Sequence, residues 1–344
     1  MQTEVLAAYT KDGALHTAHI ARAAACVTDG AVVAMPTETV YGLAANAYDE
    51  AAVAKIFAAK GRPQDNPLIV HIADLAALSD LTKTVPASAY ALAKAFWPGP
   101  LTMILPKSEK VPDAVSAGLS TVAVRMPSHP VAQELIRASG VPLAAPSANR
   151  SGSPSPTNAK YVLADMQGRI PLILDGGSSQ VGVESTVVTL ATDVPRVLRP
   201  GGVTVEQLRA VLGEVAVDDA VLHRLKAGAQ AASPGMKYKH YAPQANITIV
   251  RGSLTAFQNF VARQSPDAFV LCFTGEENLF KHAVSYGHAD ADDEQANRLF
   301  DALRELDGNG AKTVYARCPR LSGVGLAVYN RLIRAAGFQL TDAE

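Results

Sequence analysis

Cysteine is scarce in this sequence. The three residues, Cys26, Cys272 and Cys318, contain no CxxC pair. They cannot build a thiolate zinc site by themselves, and one disulfide would leave a thiol over, so buried thiols in a reducing compartment are expected. Long apolar runs are missing as well: nothing approaches the roughly twenty residues of a membrane span. Glu4 interrupts an N-terminus that has no signal-peptide core, and a cytoplasmic protein is the expectation. Neither charge sign is in excess. A formal net charge of -1 gives no general basic field for gripping a phosphate backbone, so a nucleic-acid role would need a local patch. Common site signatures are absent too. There is no GxxxxGK[ST], since Gly308-Asn309-Gly310-Ala311-Lys312-Thr313 lacks the Gly-Lys pair. Gly323-Val324-Gly325 lacks the third glycine of a dinucleotide fingerprint and reads as helix packing. HExxH and GxSxG do not occur, which removes the metalloprotease and hydrolase-elbow readings.

What is present is enough chain for two packed domains: 344 residues, 48% of them hydrophobic. Short apolar strands alternate with helical spacing. Helices are expected over 16–29, from an Asp49 cap to Gly61, over 87–96, 130–138, 158–166 and 205–212. Strands are expected at AVVAM, LIVHI, LTMIL, TVAVRM, PLAAP, PLILD, STVVTL and RVLRP. This rhythm indicates an α/β (α+β) sheet domain over 1–212. Periodicity weakens over 213–245, a linker that nonetheless packs two lysines, two tyrosines and a histidine into SPGMKYKHYAP. A second, Rossmann-like βαβ unit follows over 246–344, with helices expected at 254–263, 292–306 and 326–336.

The chemistry-bearing residues cluster at strand ends. Lys60 and Arg62 flank Gly61; Arg125 precedes Met126-Pro127; Arg199 precedes Pro200-Gly201-Gly202. A single arginine at a strand end is better explained by a surface ion pair of little energetic weight. Four cations, each beside a glycine or proline break, point instead to an anionic ligand, for which the planar guanidinium is well shaped. Thr37, Thr39, Thr121, Ser147 with Asn149, and Ser185 with Thr186 are neutral donors able to orient such a ligand, although Thr37, Ser151 and Ser153 read first as turn and cap residues. His71 sits in an apolar strand, where a satisfied core histidine is the plain reading. Glu38 and Glu184 could hold a metal or take a proton, yet no carboxylate pair stands out. The residues alone therefore support positioning and electrostatic stabilisation of a phosphorylated substrate.

The motifs PTETVYGL, KGRPQDNPLIVHI, FWPGPLTMIL, VAVRMP, APSANRSGSPSPT, GVESTVV and LRPGG, in this order, resemble the YrdC-like domain of the threonylcarbamoyl-AMP synthase family. SPGMKYKHYAP, with GLAVYNRL in the unit after it, resembles that family's two-domain form. The resemblance implies a YrdC-like open twisted sheet with a concave site and a smaller Rossmann-like domain. It implies condensation of L-threonine, bicarbonate or CO2 and ATP into L-threonylcarbamoyladenylate, with release of pyrophosphate. The product would feed N6-threonylcarbamoyladenosine formation in tRNA through a separate transferase complex, with Mg2+ accompanying ATP. On the same basis Lys60, Arg62, Ser147 and Asn149 are the signature catalytic positions. Thr39, His71, Arg125, Ala145 and Ser185 fall at threonine positions, and Arg62, Asn66, Thr121, Ser147, Ser155, Arg199, Tyr238 and Tyr241 at ATP positions. Two other readings share these residues: carbamoyl-adenylate chemistry, whose carriers also have cysteine pairs that this chain lacks, and a non-catalytic RNA-binding module, which the near-neutral charge disfavours.

Overall fold

A computed structural model describes residues 1–224 and 241–343. Local helix signals act where they stand. Asp49 accepts from the amides of Ala51 and Ala52 at the head of the helix Glu50–Lys60, and Gly61, at φ 63, ends it in the left-handed conformation glycine adopts without strain. Asn158 caps Ala159–Met166, and Thr204 with Gln207 forms a capping box on Val205–Leu212. The helices Ala87–Phe96 and Val205–Leu212 keep the bounds expected from periodicity.

The strands assemble into two sheets. Among the described residues the larger has eleven strands, running in space from Glu4–Ala7 through Leu172–Asp175, Val33–Met35, Gly42–Asn46, Leu143–Ala144, Ile69–His71, Thr121–Arg125, Leu101–Pro106, Thr186–Thr189 and Arg196–Arg199 to Ala216–Val217. The smaller has five parallel strands in the order Ala283–Ser285, Phe269–Cys272, Thr313–Arg317, Asn246–Arg251, Leu340–Asp342. A large mixed sheet followed by a parallel α/β unit is the expected fold class. The first sheet runs on to Ala216–Val217, past the boundary expected at 212. Gly42–Asn46 is a strand that helical spacing had not separated from its surroundings. Its Gly-Leu-Ala-Ala-Asn sequence has no β-branched residue, and pairing on both sides imposes the extended state.

Register brings the polar strand ends together. His71 lies beside Arg125 in a parallel pair, and Arg125 opposite Thr102 in the next, antiparallel pair. Thr102 in turn pairs with Val187, whose strand follows Ser185. Apolar clusters pack on both faces of this sheet. A third cluster fills the smaller unit and takes in Val40 and Val183 from loops of the larger one. The two units thus share a core at the edge of the site.

Candidate active site

The loop between the strands Val33–Met35 and Gly42–Asn46 forms one wall. Thr37 Oγ1 accepts from the amides of Thr39 (3.2 Å) and Val40 (3.3 Å), the turn role its sequence suggested. This turns Thr39 inward, where its Oγ1 accepts from Arg125 Nη1 at 2.8 Å. Arg125 Nε donates to the Gly99 carbonyl at 3.3 Å, and its Nη2 makes a close ion pair with Glu38 at 2.7 Å. Burial alone would raise the Glu38 carboxyl, but Arg125 holds it below the usual range. His71 is buried with Nδ1 3.2 Å from the Ile69 carbonyl, and burial, reinforced by the Arg125 charge, pushes its pKa down to about 3. The ring is therefore neutral at physiological pH.

Lys60 and Arg62, separated in sequence only by Gly61, have different surroundings. Lys60 Nζ donates to the Ser147 carbonyl, to the Asn149 carbonyl at 2.7 Å and to Asn149 Oδ1 at 3.3 Å. The Lys60 carbonyl accepts from the Ser151 amide at 2.9 Å. Its ammonium, with three donors, is thus occupied by the Ser147–Asn149 loop, and burial, with Arg62 nearby, pulls its pKa well below the ordinary lysine value. Ser147 Oγ donates to Asn149 Oδ1, and Asn149 Nδ2 donates to the Arg150 and Ser153 carbonyls, each at 2.8 Å. Arg62 is less used. Its Nη2 reaches the Pro67 carbonyl at 3.1 Å, while Nε is buried without an acceptor among the described residues. Burial, with Arg199 adding to it, lowers its pKa to about 10.

The opposite wall is built on Ser185. Arg199 donates to the Ser185 carbonyl through Nε (3.1 Å) and Nη2 (3.0 Å), and Nη2 also lies 3.2 Å from Ser185 Oγ, itself 2.8 Å from Thr102 Oγ1. Glu184 lines the same cavity, and neither of its oxygens is available: Ser155 donates to Oε1, and Arg331, from the C-terminal unit, donates to Oε2 at 2.8 Å. Burial opposes ionisation of Glu184, yet Arg331 and Arg199 hold it charged. Tyr241 closes this side at φ 63, a strained backbone for an aromatic residue, with its ring 5.3 Å from Phe300.

One cavity is lined by eleven of the site positions that the resemblance implies: Thr39, Lys60, Arg62, His71, Arg125, Ala145, Ser147, Asn149, Ser185, Arg199 and Tyr241. Three others stand off it. Asn66 is buried beneath Arg62, with its backbone oxygen near the guanidinium. Thr121 begins the strand that Arg125 ends, so the strand's length separates it from the pocket. Ser155 is fully buried behind Glu184. Tyr238 lies outside the described residues, as does most of the 233–243 segment. Arg331 escaped the sequence reading because a charged residue on an apolar helix looks like the solvent side. That Gly325–Ala335 carries Asn330, Arg331 and Arg334 all buried is a property of the docked helix.

Comparison with known proteins gives this geometry a context. Residues 25–201 match the Sua5, YciO and YrdC family profile, described as telomere recombination, and residues 203–337 match the threonylcarbamoyl-AMP synthase C-terminal domain. The threonylcarbamoyl-AMP synthase of Bacillus subtilis is 50% identical over 324 residues, covering 92% of this chain and 93% of its own. That of Pyrococcus abyssi is 47% identical over 327 residues, covering 92% and 94%. The crystal structure of Pyrococcus abyssi Sua5 complexed with L-threonine matches with a TM-score of 0.93 at 43% identity, over 99% of this chain and 100% of that one.

Proposed function

This chain belongs to the threonylcarbamoyl-AMP synthase family, and from that membership we propose how its pocket condenses L-threonine, bicarbonate or CO2 and ATP into L-threonylcarbamoyladenylate and pyrophosphate. The reading rests on one observation above the rest: one cavity has an end where Thr39 and the neutral His71 stand with Arg125, whose charge Glu38 pairs, and a cationic end holding Arg62 and Arg199, with Ser185 bonded to Arg199. An amino acid and a nucleotide phosphate can then meet in one cavity.

At the first end, Arg125 takes the threonine carboxylate. A guanidinium carries five N–H groups, so donors remain beside those directed at Gly99, Thr39 and Glu38. Glu38 holds the fork in place rather than accepting a proton. His71, being neutral, orients the substrate by hydrogen bonding without repelling its ammonium. Thr39, Ala145 and Ser185 complete this subsite. The threonine ammonium first gives a proton to solvent; the free amine then adds to CO2, which bicarbonate supplies by losing water, and a second proton leaves the nitrogen as the carbamate forms. A carbamate oxygen then attacks the α-phosphorus of ATP, and the bond to the β-phosphate oxygen breaks as pyrophosphate leaves. Arg62 and Arg199 face the charge that grows on the departing phosphates, aided by Ser147 and Tyr241, and most of the rate gain comes from such positioning and electrostatics. Lys60 we assign to holding the Ser147–Asn149 loop in shape, since its donors are used there. Asn66 and Ser155 act from behind the wall, and Thr121 has no role that its position supports.

Mg2+ fits this site only as a companion of ATP. The described residues contain no group of three His, Cys, Asp or Glu able to hold a metal, and Glu38 and Glu184 each face an arginine. The catalytic unit takes in the strand Ala216–Val217 that closes its sheet, a connection follows up to 245, and the C-terminal unit spans 246–344. We keep a cytoplasmic setting, in which the product passes to a separate transferase acting on tRNA. The test is pyrophosphate release from ATP by the purified chain. Release that needs both threonine and bicarbonate is expected. Release that needs an added carbamoyl donor, such as carbamoyl phosphate, in place of threonine would indicate carbamoyl-adenylate chemistry instead, and none under any condition would leave a binding protein.

A further inference from the structure

The arginine at the centre of the C-terminal helix Gly325–Ala335 is fully buried, and its hydrogen bonds go to residues that the reaction above does not use directly. Its contacts surround that chemistry nonetheless. Arg331 Nε donates to Glu184 Oε2 at 2.8 Å and Nη2 to the Glu184 carbonyl at 3.1 Å, while Nη1 donates to the Pro200 carbonyl at 2.8 Å and to Asn330 Oδ1 at 2.9 Å. Glu184 precedes Ser185 and Pro200 follows Arg199, so one guanidinium grips the chain next to both members of the Ser185–Arg199 pair. The grip extends through Glu184 to Ser155, and the guanidinium lies 5.7 Å from the centre of the Tyr241 ring, within cation–π range. The backbones it ties are already in close contact: a Cβ on Gly201 would stand 2.3 Å from the Thr186 nitrogen and 2.5 Å from the Glu184 oxygen.

We infer that Arg331 is a positioning residue for the nucleotide half of the active site: supplied by the C-terminal unit, it fixes the Glu184–Ser185 and Arg199–Pro200 strand ends and the Tyr241 ring against each other. This rests on the reaction proposed above. A planar fork with several donors is needed, because the acceptors are one carboxylate and two main-chain carbonyls in different directions, and an ammonium cannot reach them with the same geometry. The C-terminal unit then contributes to catalysis without touching substrate.

The test compares Arg331→Gln and Arg331→Lys in the full chain, correcting for folded fraction by thermal melting. In Arg331→Gln the KM for ATP is expected to rise about tenfold or more, the scale of one lost charge-assisted hydrogen bond. The KM for threonine is expected to change much less, because Ser185 is the one residue of that subsite beside the grip, while Thr39, His71 and Arg125 are held by contacts of their own. Should the glutamine variant fail to fold, Arg331→Lys keeps the charge that Glu184 requires and still raises the KM for ATP. Asn297→Ala removes a different contact between the units, to the Ser179 and Gln180 carbonyls, and is expected to lower the melting temperature without the ATP effect. Wild-type constants per folded molecule in both arginine variants, or equal rises in both KM values, would overturn the inference. So would the same ATP effect in Asn297→Ala. If the wild-type chain shows no threonine-dependent pyrophosphate release, the functional reading falls instead. Calorimetric titration with ATP alone then decides the positioning role, with about tenfold weaker binding by the variants supporting it and unchanged binding refuting it.

Discussion

Arg62 and His71 show how burial sets what a side chain can do here. Arg62 keeps a buried Nε that finds no acceptor among the described residues, a costly arrangement that a bound anion would relieve. Replacing it with alanine is expected to abolish pyrophosphate release while leaving the melting temperature unchanged or slightly raised. Full turnover by Arg62→Ala would remove it from the phosphate role. For His71 the consequence is a pH dependence. Its folded pKa, about 3, lies below the ordinary 6.5, so between those values the unfolded chain binds a proton here that the folded chain does not. Its contribution is fully present above pH 6.5 and is lost as pH falls toward 3, at no more than about 1.4 kcal/mol per pH unit. His129, also lowered by burial, acts in the same direction. Urea unfolding at pH 7 and pH 5, where carboxylates remain ionised, should therefore show a smaller loss for His71→Gln than for the wild type. Equal losses would mean that His71 is not held neutral. At this scale the cations and hydroxyls were legible in the sequence because glycine and proline mark their strand ends. Their partners were not: nothing near Arg125 in sequence announces Thr39 or Glu38, which reach it from the loop between the strands Val33–Met35 and Gly42–Asn46.

Among elements, the helix Glu50–Lys60 and the Ser147–Asn149 loop behave as one piece. The helix was readable from Asp49 and Gly61, but its last residue takes its meaning from a loop about ninety positions away. Lys60→Met should test that coupling. It removes the donors to two main-chain carbonyls, Ser147 and Asn149, at a cost of about 1–3 kcal/mol, so a lower melting temperature and weakened turnover should arrive together. Arg62→Ala, two residues on, should lose turnover alone. A Lys60→Met chain with wild-type stability and no activity would move Lys60 from the loop to the phosphates. The strands that sequence missed, Gly42–Asn46 among them, are short or poor in β-branched residues, and their state comes from pairing, on both sides for Gly42–Asn46 and on one side for the edge strands Ala283–Ser285 and Leu340–Asp342.

At the scale of the whole molecule, the C-terminal unit is docked on the loops that make the pocket. Arg304 pairs with Asp165 at 2.7 Å and donates to the Pro154 carbonyl; Thr157 donates to Asp301; Asn297 holds the Ser179 and Gln180 carbonyls. Each contact falls on the 147–158 or 176–185 region or on the helix next to it, and Val40 and Val183 bury themselves in the second unit's core. No sequence pattern encodes such docking, because each partner reads locally as a helix surface or a loop. The closest approach is at Gly182, with φ +80, where an added Cβ would lie 2.3 Å from the Asn297 Cα and 2.6 Å from the Ala296 oxygen. Gly182→Ala therefore pushes the helix Asp292–Gly308 away from the loop that carries Glu184 and Ser185, and the left-handed backbone adds its own penalty. The expected result in the full chain is faster proteolytic separation of the two units and at least tenfold lower pyrophosphate release, with the secondary structure of each unit retained by circular dichroism. A Gly182→Ala protein that resists protease like the wild type and turns over ATP at the same rate would show that the pocket loops hold their shape without the second unit.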